Sequence, residues 1–450
     1  MNAQLFSTNE GYDIYFKVFL KSELGLIYQS IPWDQIGTHF EPFKSQSPQG
    51  RNSIFTIKGA MGLMFLKHYL NLSDAKLIQR VNTDKHLQYF CGVQISPISP
   101  VRDKDIVGRW RRFFGNHLNI DSLQNIFIDH WKPYMSQTHV LMDDATCFES
   151  HIKFPTDVKL LYDCSEYLFD KIDEICLKFN IQKPRTKYRY QKNRQTNYSK
   201  LKRKPIKRTT RRIRQLLYWV QKGDDKLQQI LNQHPEIHDY LPESMYAKIK
   251  TIRTIRAQQA FKFKIPGYKI KNRIVSLYKP YVRPIVRGKE TKKTEFGAKV
   301  HISQVDQLNF IEYLSFDAFH EGIRMKKSIE RHEKIFGKCK HYAGDQIYAN
   351  NKNRKHVTQK GIITCFKQKG RKPRIQSEKD EIRLILNKAR ATILEGGFGN
   401  VKNNYGLNKI RARTKNTEIA WIFFGIHTAN AVNISKRIKE LQKENTKKVA

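Results

Sequence analysis

This chain is short of carboxylates. Its 450 residues hold 41 Asp and Glu against 83 Lys and Arg, a formal charge of +42, so polyanions are the first partners to consider. Cysteine is sparse as well, with six residues at 91, 147, 164, 176, 339 and 365 and no Cys-x-x-Cys pair. That spacing argues against a zinc module or a disulfide framework and fits reduced thiols in a cytoplasm. No segment reaches the ~20 consecutive apolar residues of a spanning helix, so no membrane partner is expected. The first ten residues lack the basic and apolar regions of a secretory signal. What is present, 39% hydrophobic and 12% aromatic residues over a length sufficient for two or three domains, is the composition of a folded protein.

The positive charge is unevenly placed. Residues 1–135 carry a balance of only +4, leaving +38 for the rest. Between 182 and 214 there are 15 Lys or Arg, no Asp or Glu, and Tyr188, Tyr190 and Tyr198 interleaved. A solvated linker is the ordinary explanation of a charge run. One this dense would repel itself without a counter-polyanion, and aromatics between cations allow stacking on bases or sugars. Lys202, Arg203, Lys204, Lys207, Arg208, Arg211 and Arg212 are therefore candidate phosphate contacts.

Along the chain, 45–51 reads as a loop and 54–69 as a long apolar-periodic helix. Short helices over 75–81 and from 83 or 84 to 91 follow. Residues 103–114 form a basic, Trp-bearing helix whose Arg109, Arg111 and Arg112 suit a DNA reader of the helix-turn-helix kind; a helical scaffold with solvated arginines is the plainer alternative. A buried strand is expected at 139–146, helices at 158–179, 210–233, 242–263, 318–336, 377–394 and 419–434, and strands at 273–278, 282–287, 294–304, 310–316, 339–343 and 361–366. The end, 435–450, reads as a charged tail.

Against this background three acidic positions stand out. Asp144 ends an apolar run, Asp345 ends a run of small residues, and Glu395 lies in a helical segment seven residues before Lys402. In-line phosphoryl transfer on DNA uses two divalent ions about 3.5–4 Å apart, held by three or four carboxylates. Magnesium prefers such hard oxygen ligands over His or Cys. Taken singly, Asp144 and Asp345 could cap turns, and Glu395 could pair with Arg390 on a surface. Asp143 competes with Asp144, since strand alternation turns only one of the two toward a site.

The ordered motifs resemble the DDE transposases of bacterial insertion sequences. The resemblance rests on Gly-Arg at 50–51, Leu-Ser-Asp at 72–74 and Asp-Lys-His-Leu-Gln-Tyr-Phe-Cys-Gly at 84–92. It continues with Asp-Ala-Thr at 144–146, Phe-Pro-Thr-Asp at 154–157, Val-Arg-Pro-Ile-Val-Arg-Gly-Lys at 282–289 and Glu-Phe-Gly-Ala-Lys-Val at 295–300. It closes with Gly-Asp-Gln-Ile-Tyr at 344–348 and Glu-Gly-Gly-Phe-Gly-Asn-Val-Lys-Asn-Asn-Tyr-Gly-Leu at 395–407. The related signature Y-x2-R-x3-E-x6-K matches in part. Glu395 and Lys402 keep their spacing, but Lys388 and Ala391 occupy the Tyr and Arg positions, and Arg390 is one step away.

The resemblance implies an α/β catalytic domain of ribonuclease-H-like type, a mixed five-stranded sheet flanked by helices, spanning 136–434. A basic helical insertion would occupy about 165–280, and an all-α DNA-binding domain, 1–135, would precede it. It implies a triad of Asp144, Asp345 and Glu395 holding two Mg2+ ions, for which Mn2+ may substitute. Lys402, Arg390, Lys388 and Tyr348 would lie near the DNA. The activity implied is 3′-end cleavage at terminal inverted repeats and joining of those ends to target DNA, by a chain that is a homodimer in the active complex. Asp-x-Thr favours Asp144 over Asp143.

Overall fold

The computed structural model describes residues 10–44, 53–286, 293–370 and 378–449. The expected 45–51 loop and the end of the 282–289 motif lie outside them. The chain divides into two compact units, one built from 1–151 with 298–450 and the other from 152–297.

In the first unit, side-chain caps set where the N-terminal helices begin. Ser22, Thr56, Ser73 and Asp84 each accept backbone N–H groups of the turn that follows. Gly92, at φ 57°, closes the helix Lys85–Cys91 in a left-handed conformation that most side chains resist. The helix Ile57–Tyr69 is buried on nearly every side, as expected of a helix apolar all round. The last helix, Lys415–Val449, covers it together with neighbouring N-terminal helices, Lys85–Cys91 foremost among them. Phe65 and Phe114 each lie 5.6 Å from Phe424, and Phe127 lies 4.9 Å from His427. A Cβ on Gly115 would meet Asn416 O at 2.7 Å, so glycine allows the backbones to touch.

That last helix corrects the expected tail. It continues to Val449 because its inner face remains useful: Ile434, Ser435 and Ile438 are buried, and Arg437 binds Asp306 (2.7 Å) and Tyr134 O (2.9 Å). A second correction concerns Arg111. Its guanidinium is 7% exposed, grips Asp74 through two hydrogen bonds of 3.0 and 2.7 Å, and lies 4.6 Å from the Trp421 ring. Lys67 shares both partners, 3.0 Å from Asp74 and 5.0 Å from Trp421. The arginine joins the N-terminal helices to the last helix and leaves the surface to Arg109 and Arg112.

The strands are β1 (Val140–Ser150), β2 (Pro284–Val286), β3 (Thr294–Val305), β4 (Leu308–Ser315), β5 (His341–Gly344), β6 (Ile363–Thr364) and β7 (Lys409–Ile410). The first unit contains the order β4-β3-β1-β5-β6, with β7 pairing the far end of β1. β4 is antiparallel to β3; β5 is parallel to β1, and β6 to β5. Helices flank this mixed sheet, an α/β arrangement. Two expectations fail at its edges. Residues 273–278 form no strand, and the helix expected from 318 begins at Met325, after a short turn at Glu321–Ile323.

The second unit is mainly helical: Asp157–Lys178, Tyr188–Lys200, Ile206–Gln233 and Glu243–Lys264, with β2 pairing the first residues of β3. Its core includes Leu168, Phe169, Trp219, Val220 and Ile252. Asp157 ties the ends together by binding Lys262 (2.6 Å) and Arg273 (2.9 Å).

Because Arg111 is structural, Arg111→Ala is expected to lower unfolding free energy by about 3 kcal/mol, the scale of a broken buried pair. Urea denaturation measures this. A variant as stable as wild type would show that the Asp74–Trp421 junction carries no such role.

Candidate functional site

Register decides what meets at the end of the sheet. β1 and β5 run parallel with Asp143 opposite Gly344; the next residues are Asp144, inside β1, and Asp345, just past the end of β5. Alternation separates the two neighbouring aspartates of β1. Asp143 is fully buried, accepting from Ser303 Oγ (2.7 Å) and Tyr342 OH (3.1 Å). Asp144 is half-buried and Asp345 exposed.

Asp345 caps the turn Gln346–Tyr348, accepting from Gln346 N at 2.7 Å. That turn is stapled to the turn Glu321–Ile323: Asn353 donates from Nδ2 to Tyr348 O (2.8 Å) and to Gly322 O (2.7 Å). Gly322 is needed there, since a Cβ would meet Ile347 O at 2.4 Å. Tyr348 is fully buried, which withdraws it from any direct contact with DNA. Burial pushes its phenol well above the usual range, and the charges of Asp143, Asp144, Glu321 and Asp345 push it further. Its hydroxyl is buried with no hydrogen-bond partner among the described residues.

Glu395 begins the helical stretch Glu395–Asn404. The helix continues through Gly396, Gly397 and Gly399. One reason is packing: a Cβ at Gly397 would meet Gln304 Nε2 at 2.9 Å, so the glycine lets the helix press on the sheet. Continuation carries Lys402 onto β1, where Nζ donates to Thr146 Oγ1 at 2.7 Å and lies 5.8 Å from the Phe148 ring. Glu395 itself is exposed, its Oε1 3.6 Å from Arg390 Nη1. Lys388 is also exposed.

The donor set at these strand ends is carboxylate oxygen, which suits magnesium or manganese. The parallel register sets the residues before Asp144 and Asp345 side by side. Among the described residues, however, no three Asp, Glu, His or Cys side chains converge closely enough to hold one ion, so Glu395 is not drawn onto the pair.

The other candidate cations divide by burial. Arg109, paired with Asp103, and Arg112 are exposed on the helix Ile106–His117. In the second unit Lys202, Arg203, Lys204, Lys207, Arg208 and Arg211 are exposed. Arg212 is not. It is 4% exposed and spends its guanidinium on Gln195 Oε1, Gln191 Oε1 and Gln191 O at 3.0, 3.0 and 3.3 Å. On its helix the apolar stripe passes through position 212, which composition alone could not reveal.

Sequence reasoning also missed a buried acid network behind the site. Burial pushes Asp143 up to about 8, with Ser303 opposing and Glu312 reinforcing the shift. Burial likewise pushes Glu312 up to about 7, against the pull of Arg331, whose Nη1 lies 3.7 Å away. The doublet Asp143-Asp144 was the available signal, since a strand must bury one of its two carboxyls.

Residues 342–429 match the family model of a transposase DDE domain, and residues 13–113 match that of a transposase domain (DUF772). The first match contains Asp345, Glu395 and Lys402; Asp144 lies outside both. No curated protein and no solved structure matches the chain. No helix among the described residues is long and apolar enough to cross a membrane.

The buried Glu312 generates a pH dependence. Its folded form holds a proton that the unfolded form, at about 4.5, releases, so stability falls as pH rises from about 4.5 through about 7. Glu312→Gln keeps a neutral side chain and removes that slope. The variant's stability relative to wild type is expected to improve by about 3 kcal/mol across this window. Parallel stability curves from urea unfolding at several pH values would refute the assignment.

Proposed function

From the two family matches, which mark the chain as a DDE-type transposase of the insertion-sequence kind, we propose that it binds the terminal inverted repeats of its own element. It cleaves the 3′ ends by hydrolysis and joins them to target DNA. The observation that carries this reading is the β1–β5 register, which pairs Asp143 with Gly344, the residues immediately before Asp144 and Asp345. The order β4-β3-β1-β5-β6 with flanking helices, five strands of a seven-stranded mixed sheet, supports a ribonuclease-H-like catalytic domain.

In this reading Asp144, Asp345 and Glu395 hold two magnesium ions, with manganese able to substitute. When bound, the ions supply Lewis acidity for in-line displacement at phosphorus. The chain's own residues do the rest. Asn353 keeps the Asp345 turn in place, Asp143 and Tyr342 fix the depth of Asp144, and Lys402 sets the helix of Glu395 against β1. Exposed cations of the second unit, Lys202 to Arg211, grip backbone phosphates, giving affinity with little sequence information. Arg109 and Arg112, on the helix Ile106–His117, contribute to recognition of the element's end. Since two ends must be held together, the active complex is a homodimer.

The test uses a labelled duplex of the element's end with magnesium, manganese or EDTA, comparing wild type with Glu395→Gln. Metal-dependent nicking at the 3′ end is expected from wild type and a loss of at least about 100-fold from the variant. Transfer of the cut end into a plasmid completes the activity. If both proteins shift the duplex equally and neither cuts it, the chain is a DNA-binding protein whose carboxylates are structural.

A further inference from the structure

Glu395 stands at one end of a short lever. Its helix, Glu395–Asn404, follows a π-turn at Arg390–Leu394, and Glu395 itself is exposed. The opposite end is fastened. Asn408 N–H donates to Lys402 O at 3.0 Å and Leu407 N–H to Val401 O at 3.4 Å, so the strap 405–410 closes the last turn of the helix. β7, at the end of the strap, pairs with Glu149 and Ser150 of β1.

What grips the strap from the other side is an N-terminal helix. His68, in the last turn of the helix Ile57–Tyr69, is 3% exposed, and its Nδ1 lies 2.8 Å from Tyr405 O. A carbonyl oxygen only accepts, so Nδ1 carries the proton. Burial pushes the imidazole down to about 3, so a neutral ring makes the bond and no titration near neutral pH interrupts it. Gly406, at φ 69°, packs on the turn that follows His68: a Cβ there would meet Asn71 Oδ1 at 3.0 Å. Trp421 Nε1 donates to Gly406 O at 3.0 Å, and its ring meets His68 edge-on at 5.5 Å. Lys67, beside His68, shares Asp74 with Arg111, on the helix that exposes Arg109 and Arg112. His68 lies within residues 13–113 and Tyr405 within 342–429, so their bond joins the two family-matched segments.

We infer that His68 is a positioning residue for the reaction: through the Tyr405 carbonyl it fixes the strap, and through the strap it sets the direction of the Glu395 helix. The inference rests on the DNA-processing reading above. Leverage is what makes one hydrogen bond matter. Glu395 and Asn404 bound the helix and lie about 14 Å apart along its axis, so a tilt of about 10° at the strap moves Glu395 by about 2 Å. A misplacement of about 1 Å can cost roughly 100-fold in rate. The N-terminal helices thus help to aim the third carboxylate, apart from any contact they make with DNA.

The test uses the full chain and three readouts: backbone hydrogen exchange, binding of the end duplex in EDTA, and 3′-end nicking with magnesium. His68→Leu keeps much of the ring's bulk and removes the donor. Peptides covering 395–410 are expected to exchange faster in this variant, while those of β1 and of the helix Lys415–Val449 keep their protection. Duplex affinity stays at the wild-type value, and nicking slows roughly 100-fold. His68→Asn, whose side-chain amide N–H can take the place of Nδ1–H, restores both exchange and nicking. Gly406→Ala, which disturbs the strap from its own side, reproduces the His68→Leu pattern.

Unchanged exchange at 395–410 in His68→Leu, or nicking at the wild-type rate, overturns the inference. So does faster exchange throughout the first unit in both His68→Leu and Gly406→Ala, which would make His68 a core residue with no directional role. Where His68→Leu alone loosens the whole unit, Gly406→Ala decides by the same criteria. If wild type neither binds nor cuts the duplex, the proposed function falls and takes the role in the reaction with it, while the exchange pattern still decides whether His68 holds the strap. If wild type cuts and His68→Leu cuts equally well, only the role of His68 is lost.

Discussion

Parallel pairing of β1 with β5 sets Asp143 opposite Gly344, and the candidate site inherits its geometry from that register. A slip of one residue would exchange the faces of the whole strand. It would bring Asp144 into the core and leave Ser303 and Tyr342, which bind Asp143, without their acceptor. Gly344 guards the same register from the other strand, since a Cβ there would meet the Tyr342 and Tyr348 rings at 3.0 and 3.1 Å. The buried aspartate is thus the lock that keeps its neighbour at the surface. Its proton makes this tolerable, because a charged carboxylate at zero exposure would be costly to bury.

Charge in this chain has two separate uses. Some cations are structural: Arg111 and Lys67 on Asp74 and Trp421, Arg212 among glutamines, Arg437 on Asp306. Many more, concentrated after residue 182, are exposed. Counting Lys and Arg cannot tell these groups apart. A buried arginine is distinguished by its partners, which come from distant parts of the chain.

Much of the plan was legible nonetheless. The apolar runs before Asp144 and Asp345 do open strands, but only β5 stops at its carboxylate; β1 continues past Asp144 to Ser150. The mixed sheet was expected from the resemblance, whereas the helical, basic character of the second unit was readable from pattern and composition. What was not legible depended on long-range packing. The last helix extends because residues near 434 to 438 are buried by elements far away in sequence. The glycines after Glu395 remain helical because Gly397 meets the sheet. Arg390 stood one position off the related signature in sequence, yet an α-helical count misjudges its direction, since the turn it opens is wider than α.

The helix Lys415–Val449 also has a bearing on synthesis. The N-terminal helices emerge from a ribosome first, yet Phe65, Phe114 and Phe127 find partners on residues 423 to 427. At roughly 5–20 residues per second, roughly 300–360 residues of elongation separate those rings from their partners, a delay of roughly 15–70 s. During that interval the nascent bundle presents an unfilled aromatic groove. Premature termination anywhere before the last helix would therefore leave Phe65, Phe114 and Phe127 without these partners.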